Sequence, residues 1–448
     1  MPNKDKQPFV DRRRFVKTVS AAGAAGLAGC MGGNDGNGKE STKSGENVGN
    51  VNGGKTTTIK FWTLFGGGDG KAMKALVDEF NKQHDGIQIK RQRLPWDKYY
   101  DKLYTSLTGG NPPDLGVIHA TRLAKYKDVV MPLGDHLGSG EGDKYVQSIW
   151  KKTQVDGKRL ALPLDTHPVG LYYNKDIFEK AGLDSASPPT NFKELKDASN
   201  AIVSKTDKYA FNPGPYAGSS LLRTYLAFLN QHGGKLLTDD KSKAAFNDKH
   251  GLAVANFYSD LTGKWNWDKA NSSEDRGTKA FRAGDLAMTV NGTWYYGVAK
   301  EQKFKWGMAK PFVGPGGSGS GPAWANSHTL AVPYKKNRSK AKTKAAVTAA
   351  KWLTQQNQKW GTIAGHLPAS KSVLESKKLR NAAVWDKTLS TFYEMASNDQ
   401  LVYMPQTKSI TEYKEPIWKA LEKIYSHKSK PKPALSKAEK EVNGILGK

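Results

Sequence analysis

The spacing of hydrophobic and polar positions changes along this chain, and each change marks an element. Thr57 to Phe65 (TTIKFWTLF) alternates as a strand does and runs into Gly66-Gly67-Gly68-Asp69-Gly70. Met73, Leu76, Val77 and Phe80 then fall at i, i+3, i+4 and i+7, the stripe of an amphipathic helix lying on a sheet. Gly86 to Leu94 predicts a second strand, and Asp97 to Leu107 a second helix closed by Gly109-Gly110. Pro112-Pro113 breaks the chain before a short apolar strand, Asp114 to His119. Strand, helix, strand, helix, strand predicts a parallel α/β sheet with right-handed crossovers.

The remainder is not a second copy of this unit. Residues 155–174 (VDGKRLALPLDTHPVGLYYN) predict a hairpin turn at Asp156-Gly157, a buried strand and an extended crossover from Thr166 to Asn174. Helical periodicity follows over 192–204, 220–230 and 250–261, then a strand at 286–290 running into Asn291-Gly292-Thr293-Trp294-Tyr295-Tyr296. A Gly/Pro/Ser-rich loop at 314–322 precedes another extended segment, 327–333, and helices over 340–355 and 412–425. A chain that leaves one α/β unit and returns to it late predicts two lobes joined by crossover strands.

In open α/β sheets ligands sit beyond the carboxyl ends of the strands. Here those ends read Trp62 to Asp69 and His119 to Arg122. The glycine-rich turn opens a helix, so its free backbone N–H groups can donate to an oxygen-rich ligand while Asp69 accepts from hydroxyls. A phosphate-binding loop is excluded by spacing, because Gly66 stands one residue too close to Gly70 and Lys71 is followed by Ala72. A dinucleotide fingerprint also fails, since no acidic strand end pairs with the turn about 20 residues on. The serines lack a G-x-S-x-G elbow. A glycosidase would need two opposed carboxylates, and no motif singles out Asp69 and Asp165 for that role.

Composition changes the picture at the N-terminus. Cys30, the only cysteine in 448 residues, ends DRRRFVKTVSAAGAAGLAGC. Arg12, Arg13 and Arg14 give a twin-arginine-like n-region, and Thr18 to Gly29 is too short and too Ala/Gly-rich to span a bilayer. Leu27-Ala28-Gly29-Cys30 resembles a lipobox, which implies cleavage after residue 29 and a lipid on Cys30. Residues 31–55 are almost wholly Gly, Asn, Ser, Lys and Glu and cannot bury a core, so 30–55 is expected to be a leash of roughly 25–30 Å root-mean-square span.

The formal net charge is +27, falling by four to +23 without residues 1–29, which carry six Lys/Arg and two Asp. Only 12 of the 69 basic residues are Arg, and the lysines are scattered instead of clustered. With no helix-turn-helix, zinc-finger or RNA-recognition motif, this describes a cationic surface and not a nucleic-acid binder.

The ordered set FWTLFGGGDG, EFNKQHDGIQI, NPPDLGVIHATRLAKY, ALPLDTHPVGLYYNKDIFEKAGL, PPTNFKEL, FRAGDLAMTVNGTWYY, SHTLAVP and GHLPAS resembles the extracellular solute-binding proteins of ABC sugar importers, the maltose-binding-like group, over about residues 57–425. The resemblance implies a two-lobed periplasmic-binding-protein-like α/β fold with ligand in the interlobe cleft. It also implies a sugar ligand, no cofactor, a monomer, and delivery to a permease with cytoplasmic ATPases. The expected division is 56–165 plus 291–333 for one lobe and 166–290 plus 334–448 for the other. Carried over, the cleft would comprise Trp62, Gly67, Gly68, Asp69, His119, Thr121, Arg122, Asp165, His167, Trp294, Trp324 and His366, with Tyr216 and Tyr413 as looser matches. A sensory or adhesive lipoprotein that binds sugar without transport is the alternative, which neighbouring permease genes would discriminate.

Several of these residues have a purely structural reading as well. Trp62 reads equally as core, Trp294 as a plug between lobes, and Asp114 as a cap between helix and strand. His119, His167, His328 and His366 all fall at cleft-side segment ends, but none pairs at i, i+3 or i, i+4, so no metal is expected from local spacing.

Overall fold

A computed structural model describes residues 56–214, 219–270, 275–317 and 319–447. The signal segment, Cys30, the leash to residue 55, and Tyr216 lie outside the described residues. Among the described residues, nine strands form the two larger sheets: β1 (Thr57–Thr63), β2 (Ile87–Arg93), β3 (Leu115–His119), β4 (Leu162–Pro163), β5 (Val169–Asn174), β6 (Tyr209–Asn212), β7 (Leu286–Gly292), β8 (Trp306–Ala309) and β9 (His328–Ala331).

The first sheet has the order β2-β1-β3-β9-β4. β1 pairs in parallel with β2 and β3, as alternating strands and helices require, while the late strand β9 runs antiparallel to β3 and β4. The stripe expected on the helix Gly67–Gln83 is the face it buries: Ala72, Met73, Leu76, Val77 and Phe80. The helix Trp96–Thr108 buries Tyr99, Leu103 and Leu107, and the N–H of Gly109 closes it on the Thr105 carbonyl. Asp114, just before β3, is a tie, its carboxylate accepting from the Lys60 N–H at 2.9 Å.

The second sheet has the order β8-β5-β7-β6, with β7 antiparallel to β5 and parallel to β6. Helices Phe192–Lys205, Ser219–Gln231, Lys249–Thr262 and Ile410–Tyr425 contribute to its core, which is separate from that of the first sheet.

The packing divides the chain differently from the expected boundaries. Helix Lys340–Gln355, expected with the second lobe, gives Ala345, Ala346, Ala349, Ala350 and Leu353 to the core of the first sheet, and Trp360 and Ala364 follow it there. Its buried alanines let it lie close to the strands. Trp306–Ala309, expected with the first lobe, is instead an edge strand of the second sheet on β5. Of the crossover expected over Thr166 to Asn174, the part that forms β5 pairs only within the second sheet, as β7 does. The chain passes between sheets over residues 164–168, again over 326–327, and once more after Ala364.

Candidate functional site

Strand register assembles the site. β3 and β9 are antiparallel with His119 directly opposite His328. β4 is followed by the buried pair Asp165–Thr166, which pairs with Leu367–Pro368 and so places His167 near His366. β5 starts where β7 ends, with Gly292 opposite Val169, so Trp294 arrives beside His167 at a ring separation of 6.0 Å. Two glycines make this possible. A Cβ on Gly292 would meet Trp294 ring carbons at 2.1 Å, and Gly365 takes φ +79 to turn the chain into His366.

These ends surround a cleft of about 770 Å³. Of the expected residues, Asp69, His119, Thr121, Arg122, His167, Trp294, Trp324 and His366 line it. Asp165 lies beneath, fully buried. Its Oδ1 accepts from the His328 N–H at 2.8 Å and faces His167 Nδ1 at 3.2 Å. Its Oδ2 accepts from Trp360 Nε1 at 2.7 Å and faces His328 Nδ1 at 2.7 Å.

Four expected residues sit elsewhere. Trp62 packs partly buried against the first core. Gly67 and Gly68 form the first turn of their helix and do not line the cleft, where the same turn contributes Asp69. Tyr413 is fully buried and donates its hydroxyl to the Pro405 carbonyl at 2.8 Å, a core role.

Burial and charge set the protonation pattern. Burial would raise Asp165, but His328 and His167 override it and hold the carboxyl well below the usual range. Burial, reinforced by His328, pushes His167 down to about 3. His119 is also driven well down, by burial and then by His328 and His167, and its Nδ1 meets the Tyr100 hydroxyl. His366 goes the other way: burial lowers it, but Asp69, 3.3 Å from its Nε2, outweighs that and raises it. Asp69 is correspondingly lowered by His366 against the effect of burial.

The cleft also holds residues that the sequence reading missed. Trp96, Asp97, Tyr100 and Asp101 come from the first turns of helix Trp96–Thr108, Trp96 and Tyr100 in line with its buried leucines and the two aspartates beside them. Their signal is visible afterwards as an acidic and aromatic helix face, with Trp96 57% exposed. Arg122 stacks on Tyr100 at 4.0 Å. Arg223 stands over Trp324 at 4.8 Å and Trp294 at 5.3 Å. Lys414 lines the cleft too, pushed down to about 8 by burial and by Arg122 and Arg223. Asn326 holds Thr121, donating from Nδ2 to its Oγ1 at 3.1 Å. Among the described residues the cavity carries the indoles Trp96, Trp294 and Trp324, the cationic Arg122, Arg223 and Lys414, and the acidic Asp69, Asp97 and Asp101. It is suited to a ligand with apolar faces and many polar edges.

The chain is 24% identical over 425 residues to the sn-glycerol-3-phosphate-binding periplasmic protein UgpB of Escherichia coli K12, with 87% of this chain and 92% of that one covered. In structure it is similar to the cyclic α-maltosyl-1,6-maltose binding protein from Arthrobacter globiformis, with a TM-score of 0.75, 24% identity, and 88% of this chain and 99% of that one covered. It is also similar to an ABC transporter solute-binding protein from Thermotoga lettingae bound with α-D-tagatose, with a TM-score of 0.71, 26% identity, and coverage of 88% and 100%. Residues 66–359, about two thirds of the chain, match the bacterial extracellular solute-binding protein family, and the chain belongs to that family.

Proposed function

We propose that this chain is the solute-binding component of an ABC transporter, capturing a sugar outside the cell, as an oligosaccharide or related polyol, for a membrane permease. The observation that carries this reading is the cleft of about 770 Å³ with indoles Trp96, Trp294 and Trp324 on its walls and carboxylate, imidazole and guanidinium groups between them. Sugar C–H faces pack on aromatic rings while hydroxyl edges need paired donors and acceptors. The similar structures described as binding a cyclic maltosyl maltose and α-D-tagatose support a carbohydrate class.

A second reading, a polyol phosphate ester, is favoured by the grouping of Arg122, Arg223 and Lys414 on the cleft and by the glycerol-3-phosphate-binding relative. A thermal-shift series of mono- and oligosaccharides beside sn-glycerol 3-phosphate tests both. A ligand held only by the native state adds about 2.7 kcal/mol at 100 times its Kd, so the true class raises Tm. Failure of both classes would remove the reading.

In the same proposal the chain acts as a monomer, without turnover of its ligand. Cys30 carries the lipid that tethers it to the outer face of the membrane, after export by the twin-arginine route. Cys30→Ser should then release the protein into the medium with ligand affinity unchanged; continued membrane attachment counts against the tether.

A further inference from the structure

Three chain passes that share no local spacing bring Asp165, His167, His328 and His366 together, each offering one ligand atom, all within 4.8 Å of one another. Measured from the carboxylate, His328 Nδ1 lies at 2.7 Å, His167 Nδ1 at 3.2 Å and His366 Nδ1 at 3.9 Å. A tetrahedral ion with N and O bonds of about 2.0–2.2 Å spaces its ligand atoms by roughly 3.3–3.6 Å. The observed separations bracket that value, so an ion could be seated by small side-chain shifts.

The surroundings hold these groups in place, and His366 Nδ1 also meets the Thr293 hydroxyl at 2.7 Å. The carboxylate is oriented by two donors that are not imidazoles, the Trp360 indole at 2.7 Å and the His328 backbone N–H at 2.8 Å. Trp360 stacks on His366 with ring centroids 5.2 Å apart, and Phe65 meets His328 edge-on at 4.9 Å. Outer partners of this kind fix ligand orientation in metal sites. His167, His328 and His366 line the cleft, which gives an ion a path in from solvent. A set of three imidazoles and one carboxylate suits zinc and its first-row neighbours, whereas calcium and magnesium call for oxygen ligands throughout.

We propose that Asp165, His167, His328 and His366 form a binding site for one divalent transition-metal ion of the Zn²⁺ type at the floor of the cleft. Coordination through Nδ1 requires each neutral ring to carry its proton on Nε2, and the ion then replaces the contacts that His167 and His328 now make with Asp165 and that His366 makes with the Thr293 hydroxyl. The site goes beyond the sugar-binding reading and does not depend on it.

The test is calorimetric titration of the metal-stripped full chain with ZnCl₂ alone, with no sugar present, so its outcome is separate from that of any ligand screen. The expected result is one ion per chain with a Kd of about 1 µM or tighter. The double variant His167→Gln/His328→Gln should weaken binding at least about 100-fold. Trp360→Phe removes a donor to Asp165 but no ligand, and should weaken binding about 10–100-fold, which keeps the test open should the double variant fail to fold. A second histidine pair, His232 and His250, with Nδ1 atoms 2.8 Å apart, is the internal control, and His232→Gln/His250→Gln should leave the affinity unchanged. Binding weaker than this, binding that survives both cluster variants, or binding lost with the His232/His250 pair would overturn the proposal.

Discussion

Trp294 shows how one side chain can be fixed for contact without being consumed by the core. Its ring rests over Gly292, it is partly exposed to the cleft, and Arg223 stands 5.3 Å from its face. Trp294→Ala should therefore weaken binding of a confirmed ligand by about 1–3 kcal/mol, roughly 5–150-fold, while unfolding stays cooperative. Unchanged affinity by calorimetry would take Trp294 out of the site. Lys414 offers a test of ligand charge. Its folded pKa of about 8 lies below the unfolded value of about 10.4, so below pH 8 the folded state bears the cost of a buried charge. The unfolded chain binds more protons between these values, so Lys414 makes stability rise with pH across that window. Lys414→Met should raise Tm at pH 7, and the gain should vanish by about pH 10.5; a gain that persisted there would contradict this assignment. An anionic ligand would raise the pKa of Lys414 and draw in a proton near pH 8, visible as a binding enthalpy that depends on the buffer, whereas a neutral sugar would not.

Much of the element layer was legible from periodicity because alternation and the helical stripe report directly on which face is buried. Met73, Leu76, Val77 and Phe80 were expected on one face, and all are buried there. The ends of β1 and β3 were legible as a site edge, and Asp69, His119, Thr121 and Arg122 do line the cleft. Less could be read where the answer depends on pairing between distant segments. The opposition of His119 and His328 follows from the β3–β9 register, which no local spacing encodes. Trp96 and Tyr100 continue the stripe of Leu103 and Leu107, with Asp97 and Asp101 beside it, and nothing along the sequence says that a cleft opens at this end of the helix. Helix Lys340–Gln355 was assigned to the wrong sheet for a related reason: an alanine-rich face packs closely on any strand surface, and its partner is set by topology. That close packing is itself testable. Ala349→Leu should overpack the interface and cost about 1–3 kcal/mol in chemical denaturation, whereas Lys344→Ala on the exposed face should stay within about 0.5 kcal/mol. Equal effects at the two positions would mean that the helix is not held against the first sheet.

At the scale of the whole molecule, two sheets with separate cores are joined by the passages at 164–168, 326–327 and after Ala364, and the cleft draws side chains from both. Asp69, His119 and Arg122 come from the first sheet and its turns, while Arg223 and Trp294 come from the second. A ligand that touches only one group when the cleft is open gains the other when it closes, and that difference in contact is what allows binding to shift the population toward a closed form. Few residues need to rotate, because three short passages can act as the hinge while both cores stay packed. Small-angle scattering of the full chain should then give a smaller radius of gyration at saturating ligand than without it, and long incubation should yield no new sugar species by chromatography. A radius that does not change with a ligand of proven affinity would mean a rigid binding module, better suited to adhesion or sensing than to transport. Appearance of a product would replace the binding reading with an enzymatic one.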